Sequence, residues 1–261
     1  GGGGGGWGVG GGGGVRGGGG ESALAHDEPG GRDELDLGRT DATGGRLTGR
    51  KAVVMQAGAA DHLVVSARAG DEIGLYLVAG NAAGLDIRDY PLLAGGRAGE
   101  VVLDGTPAEP LGLGYDALCG LIDLAVVAQC AEALGAMETA VALTQDYLMT
   151  RKQFGRPIGT FQALAHRMAD LLIELEQARS AVINAAGMVG TDQQAATLAA
   201  SKVLMGRVGQ LVAEEAIQMH GGIALTQEYE LAHIAKRIVM ADHRFGDAEY
   251  HLERFIALSV A

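Results

Sequence analysis

The side chains that could do chemistry gather in the stretch Tyr147 to Arg167, which reads Tyr-Leu-Met-Thr-Arg-Lys-Gln-Phe-Gly-Arg-Pro-Ile-Gly-Thr-Phe-Gln-Ala-Leu-Ala-His-Arg. It carries the cations Arg151, Lys152 and Arg156, the aromatic Phe154, and Gly155, Pro157 and Gly159. A turn between helices needs only one glycine or proline to stop the first helix and a cap to start the second. Composition alone makes this a helical hairpin with a solvated basic rim. The acid–base candidates lie elsewhere: Asp247 at the head of a predicted helix, and His220, His243 and His251. An aspartate there is first a capping residue, and the histidines read as polar-face or capping residues rather than acids or bases. Cys119 and Cys130 share one predicted helix, roughly 16 Å apart along its axis, too far to pair. No CxxC or Cys/His cluster has zinc spacing, so no metal site is expected.

Two kinds of element must position these groups. Short β-branched runs at Arg46–Thr48, Lys51–Met55, His62–Arg68, Ile73–Ala79, Leu85–Arg88 and Glu100–Leu103 are punctuated by glycines, which predicts a small antiparallel barrel or sandwich rather than βαβ units. No G-x-G-x-x-G joins a strand to a helix, so a Rossmann site is not supported. From Ala117 the period changes to that of a helix. The first helix, to Thr150, is apolar nearly all round in its first half and should be buried by several neighbours. In the second, Leu164, Met168, Leu171, Leu172, Leu175, Ala178 and Val182 form one stripe opposite Arg167, Asp170, Glu174 and Gln177. A third helix runs from Gln193 to Met219, a fourth follows Thr226 as N-cap, and a fifth covers Ala248 to Leu258. The fold class expected is α+β: a barrel over residues 21–114, then a four-helix bundle plus one helix over residues 115–261.

Residues 21–44 include a turn-rich polar loop, His26 to Asp33. Residues 1–20 are nearly all glycine, with no collagen period, and read as a flexible tail or as glycines standing in for unidentified residues. The net charge of -12 and pI near 5.0 argue against nucleic acid or an anionic membrane as main partner. No apolar run reaches the ~18 uncharged residues of a membrane span, and no secretory leader opens the chain. A soluble, cytoplasmic protein is expected.

Four stretches together resemble the acyl-CoA dehydrogenase family, and the match runs from about residue 23 to the end. Arg151-Lys-Gln-Phe-Gly155 with Phe161-Gln162 is similar to its R-x-x-F-G … Q signature, and Gln218-Met-His-Gly-Gly222 to its Q-x-x-G-G. Glu28-Pro29-Gly30 sits where the family has E-P-G, and Gly49-Arg-Lys-Ala-Val-Val-Met-Gln-Ala-Gly58 follows its G-x-K-x-W-I-T-N-G. The resemblance implies an N-terminal helical domain, here absent or hidden in the glycine run, then a β-barrel and a four-helix bundle, with FAD at a subunit interface. It also implies roles. Arg151 would meet the FAD pyrophosphate with its guanidinium fork. Phe154 would pack on the cofactor, Gln162 and Gln218 would hydrogen-bond its ADP portion, and Gly221 and Gly222 would admit its close approach.

The departures are chemical. A dehydrogenase of this kind needs a carboxylate to take the α-proton of the thioester. Where the family's glutamate follows the glycine pair, the count falls on Phe245. Where some members carry it on the first bundle helix, the count falls on Ala125, with only Asp123 nearby. The family's flavin-contacting threonine falls on Met55, whose thioether cannot donate a hydrogen bond, and its tryptophan on Val53. This pattern resembles the small or non-catalytic subunit of a bacterial heteromeric acyl-CoA dehydrogenase. Such a chain would complete the FAD site of a catalytic partner in a heterotetramer, with an electron-transfer flavoprotein as acceptor. Two alternatives stand beside it: a self-sufficient homotetrameric dehydrogenase or oxidase using Asp247 or another carboxylate, and a non-enzymatic scaffold. Bulky-ring and dicarboxylate thioesters both fit as substrates.

Overall fold

A computed structural model describes residues 8–10, 14–17, 20–31 and 33–260. Ten of its strands form one sheet: β1 (Gly8–Gly10), β2 (Gly14–Gly17), β3 (Gly20–Ala25), β4 (Asp41–Thr43), β5 (Arg46–Met55), β6 (His62–Ala69), β7 (Glu72–Ala79), β8 (Leu85–Pro91), β9 (Arg97–Pro107) and β10 (Glu109–Gly114). A two-residue pair, β11 (Lys152–Gln153) and β12 (Arg156–Pro157), lies among five α-helices: α1 (Tyr115–Thr150), α2 (Gln162–Gly187), α3 (Gln194–His220), α4 (Glu230–Asp242) and α5 (Ala248–Val260). The class is α+β, and the chain divides into two compact units, residues 1–122 and 123–261.

In the sheet unit the strands run in the order β1-β2-β3-β6-β4-β5-β9-β8, with β7 paired to β6 and β10. The antiparallel expectation needs one correction: β3 and β4 both pair parallel with β6. Between β3 and β6 the chain runs through a long loop and the β4–β5 hairpin, enough to bring it back in the same direction. The predicted strands at 46–48 and 51–55 are one strand, β5, with register shifts either side of Lys51. Beyond the strands in the glycine tail and the β11–β12 pair, β3, β4 and β10 were not legible. β10 is exposed throughout and contains Pro110, Gly112 and Gly114, while β3 and β4 lack a β-branched run. The glycine tail falls partly outside the described residues; within them, Gly8–Gly10 and Gly14–Gly17 pair antiparallel as strands. Leu47, Val54, Leu63, Val65, Val101 and Leu103 supply the core.

One polar knot crosses this core. Lys51 is 1% exposed, and its ammonium donates to Glu28 Oε1 at 2.8 Å, to the His26 carbonyl at 3.0 Å and to Ser66 Oγ at 3.2 Å. Glu28 also accepts the Thr40 hydroxyl at 2.6 Å and the amides of Thr40 and Arg39 at 2.9 and 2.7 Å. The loop expected over 26–33 is thus clamped onto β5. Gly49 is required beside it, because a Cβ there would lie 2.6 Å from Thr40 Oγ1.

The helical unit buries Val126, Met137 and Val141 of α1, Leu171 and Leu175 of α2, Leu198, Val208 and Val212 of α3, and Leu231 and Ile238 of α4. In α2, Met168, Leu171, Leu175, Ala178 and Val182 are buried as the stripe predicts, but Leu172 faces outward. The opposite face is tied down by Arg167 to Glu215 at 2.6 Å and by Arg207 to Glu174 at 2.7 Å. Two corrections concern α1. Leu124 is 53% exposed, so the helix is not buried all round. It is also long and apolar enough, by length and composition, to cross a membrane. Its polar groups are answered by neighbouring helices, as in a core helix. Asp123 accepts from Arg254 at 2.9 Å and from Gln194 at 2.8 Å, and Glu132 pairs with Arg237 at 3.4 Å. Thr226 is not the N-cap of α4: its hydroxyl turns back to the Ile223 carbonyl, and the helix begins at Glu230.

The knot makes the sheet unit acid-sensitive. Burial opposes the charge on Glu28, but the bonds from Lys51, Thr40 and the Arg39 amide outweigh it and hold the carboxyl at about 2. Burial, and then the Lys51 charge, hold His26 down at about 4 against the pull of Glu28. Both groups bind protons more readily when unfolded. Their contribution to stability is therefore full above the ordinary histidine value of 6.5 and falls with pH, first as His26 titrates towards 4 and then as Glu28 titrates from 4.5 towards 2. Chemical denaturation across that range should show this decline. Glu28→Gln should weaken the unit by roughly 3 kcal/mol at neutral pH, by leaving Lys51 buried without its counter-charge, and should flatten the lower limb. Stability that rose on acidification would contradict this account.

Candidate functional site

The junction after α1 is a β-hairpin rather than a plain helical turn. Lys152–Gln153 pairs with Arg156–Pro157, and the two residues between, Phe154 and Gly155, have φ of 55° and 78°. Two left-handed residues in a two-residue loop match the primed turn that suits strand twist. Glycine adopts that conformation freely, whereas a phenylalanine is strained in it by about 1–2 kcal/mol. The strained turn leaves the Phe154 ring 91% exposed.

The three cations flank that ring. Arg151 is fixed by its backbone, its amide donating to the Tyr147 carbonyl and its carbonyl accepting from Ile158, both at 2.8 Å. Its guanidinium is exposed and has no ion pair or hydrogen bond among the described residues. Lys152 is likewise exposed, and Arg156 lies 4.1 Å over the Phe161 ring, which also meets Phe154 edge-on. Gln162 opens α2 beside the hairpin, its amide nitrogen 3.4 Å from His166 Nε2.

The second predicted stretch closes α3 at the same end of the unit. Gln218, Gly221 and Gly222 are exposed, Gly221 has φ 70°, and no atom stands within 4 Å of where a Cβ would project at either glycine. The two loops are joined by groups that sequence reasoning undervalued. His220 is 4% exposed, not a polar-face residue: its ring stacks on Tyr147 at 4.5 Å and meets the Tyr229 hydroxyl at 3.1 Å. An aromatic four residues before Arg151 and a histidine adjoining the glycine pair were the available signals. The Arg151 hairpin and the Gly221–Gly222 turn are thus linked through Tyr147 and His220, and Arg151, Phe154, Gln162, Gln218, Gly221 and Gly222 are all exposed.

The candidate base positions hold no free carboxylate. Ala125 lies within α1, and Asp123 beside it is committed to Arg254 and Gln194. Phe245 has φ 58° and is followed by Gly246 at 88°. Asp247 Oδ1 accepts the Tyr250 amide at 2.9 Å, which is the cap of α5. His251 is buried, its Nε2 at 2.8 Å from the Phe245 carbonyl, and His243 is exposed. Within the sheet unit, Val53 is also left-handed, at φ 51°, in the bulge that follows Lys51, and its amide reaches Glu100 Oε1 at 3.3 Å. A β-branched residue there is an outlier.

Residues 114–258 match the family model for the C-terminal domain of acyl-CoA dehydrogenases. This chain belongs to the acyl-CoA dehydrogenase family. It is 44% identical over 119 residues to acyl-CoA dehydrogenase IpdE2 of Mycobacterium tuberculosis, covering 45% of this chain and 36% of the relative. It is 28% identical over 223 residues to acyl-CoA dehydrogenase FadE27 of the same organism, covering 81% and 60%. It thus spans less than two thirds of the length of each of these relatives. Among solved structures, it is similar to the Tcur3481-Tcur3483 steroid ACAD G363A variant, with a TM-score of 0.84 and 32% identity over 92% of this chain and 67% of that one. It is also similar to the ChsE4-ChsE5 complex from Mycobacterium tuberculosis, with a TM-score of 0.83 and 26% identity over 92% and 66%.

At Gly246 the backbone and the packing make one demand. Besides its left-handed φ, a Cβ would lie 2.4 Å from Tyr250 Cδ1 and 2.8 Å from His251 Nε2. Gly246→Ala should cost about 2–3 kcal/mol in denaturant unfolding, and an unchanged midpoint would remove the constraint.

Proposed function

We propose that this chain is a subunit of a flavin-dependent acyl-CoA dehydrogenase built from two unlike chains, completing its partner's FAD site without supplying the proton-abstracting carboxylate. One observation carries the reading: Arg151 and Phe154 stand exposed on a strained hairpin, the arginine without an ion pair among the described residues, while the positions where the resemblance places the base hold Phe245 and Ala125. An unpaired guanidinium, a bare phenyl ring and open glycine backbone suit a cofactor with a pyrophosphate and flat rings. FAD, when bound, supplies a hydride acceptor for the thioester's β-carbon. Arg151 would hold the pyrophosphate, Phe154 would pack on the cofactor, Gln162 and Gln218 would bond its ADP portion, and Gly221 and Gly222 would let it approach. The sheet unit is read as the middle β-barrel of such a subunit, residues 21–114, and residues 115–261 as its four-helix bundle.

The solved neighbours named for paired chains, ChsE4-ChsE5 and Tcur3481-Tcur3483, support a heteromeric assembly, and the steroid ACAD favours a bulky-ring thioester over a dicarboxylate. An electron-transfer flavoprotein is the acceptor expected, and the cytoplasm the compartment. A self-sufficient enzyme using Asp247 is disfavoured by that residue's capping bond to Tyr250.

Expression alone and with its partner subunit tests the proposal. The isolated chain should lack turnover and hold less than one FAD per chain, whereas the assembly should gain both. Full activity with stoichiometric FAD in the isolated chain would sink the idea. Arg151→Ala should leave unfolding within about 0.5 kcal/mol of wild type, since the side chain supports nothing in the fold, yet weaken FAD binding by the assembly on the order of tenfold or more.

A further inference from the structure

We infer that Tyr147, His220 and Tyr229 form a positioning device that fixes the Arg151 hairpin and the Gly221–Gly222 turn at one mutual spacing. The inference rests on the FAD site proposed above and names what holds its two halves in register.

Three segments meet at one imidazole: the last turn of α1 through Tyr147, the last residue of α3, and the approach to α4 through Tyr229. The His220 ring stacks on Tyr147 with an interplanar angle of 26° and lies 5.3 Å from the Tyr229 ring. Its Nδ1 is 2.8 Å from the Ala216 carbonyl, which can only accept, so Nδ1 carries a proton. In the neutral ring Nε2 is then the acceptor for the Tyr229 hydroxyl at 3.1 Å. Burial favours that neutral form, against the carbonyls of Ala216 and Leu143. The ring thus has a defined tautomer, a fixed orientation and a partner on each side.

Both loops start from this stack. The Tyr147 carbonyl accepts the Arg151 amide, so the first hairpin cation is one bond from the ring that lies on His220. Gly221 follows His220 directly and turns the chain with φ 70° and ψ -148°. A tilt of the imidazole therefore moves the guanidinium and the glycine backbone together. Neither loop has another fixed aromatic support shared with the other among the described residues.

Hydrogen exchange of the full chain, without flavin, tests the device. The readouts are the Ile158 amide, which closes the hairpin on Arg151, and the Thr226 amide, which closes the turn on Ile223. Tyr229→Phe keeps the ring and removes only the hydroxyl, so it is the variant expected to fold. It should speed exchange at both amides by about fivefold to tenfold, the loss of one modest hydrogen bond. His220→Gln, whose amide oxygen can accept from Tyr229, should exchange more slowly at both sites than His220→Leu. Faster exchange confined to residues 220–232, with Ile158 unchanged, would overturn the inference. FAD titration of the assembled enzyme separates the two readings. Weaker FAD binding in step with exchange supports both, and loosened loops with unaltered FAD affinity keep the device while removing the FAD assignment.

Discussion

The sheet unit is organised by the need to answer a buried ammonium. Lys51 lies inside the core, where an isolated charge costs several kcal/mol. The answer comes from Glu28, whose two oxygens take Lys51, the Thr40 hydroxyl and two backbone amides. That demand explains features that otherwise look unrelated. The polar segment after β3 must fold back across β5, Thr40 must sit against that strand, and position 49 must lack a side chain. The E-P-G and G-x-K stretches, read separately along the chain, are two ends of one contact.

Strain is distributed with the same economy of position. Only Val53, Gln56, Phe154 and Phe245 among the described non-glycine residues take a left-handed backbone. Three of them fall where the family resemblance places cofactor or catalytic groups: Val53 at the tryptophan, Phe154 in R-x-x-F-G and Phe245 at the base. Such conformations persist only when their surroundings over-determine them. Around Phe245 the surroundings are Gly246, the Asp247 cap and His251; around Phe154 they are the β11–β12 pairing. The left-handed backbone is thus held at the position where the resemblance places the base and this chain has Phe245.

Helices were more legible than strands because a stripe of apolar residues over many turns identifies a helix, whereas a strand of three to six residues carries little pattern. The predicted bounds of α1, α3 and α5 differ from those observed by a few residues at most, while β4 and the proline-bearing β10 were passed over. Leu172 went wrong for a related reason: periodicity says which side of a helix is apolar, not how wide a stripe its neighbours cover. The exposed residues of the proposed site were picked out by motif spacing. The Tyr147–His220–Tyr229 stack was not, because its members lie far apart in sequence and nothing local marks a histidine as buried.

The hairpin tip has a consequence for how this chain meets other molecules. Its net charge is -12, yet Arg151, Lys152 and Arg156 stand together on one turn, so the field near that turn opposes the field of the whole. An anionic ligand is repelled by most of the surface and drawn to this corner at short range. At physiological salt that range is about 8 Å, so the attraction acts mainly in the last step of approach. The charge pattern thereby sets the orientation of encounter before any contact is made, and does so more strongly as ionic strength falls.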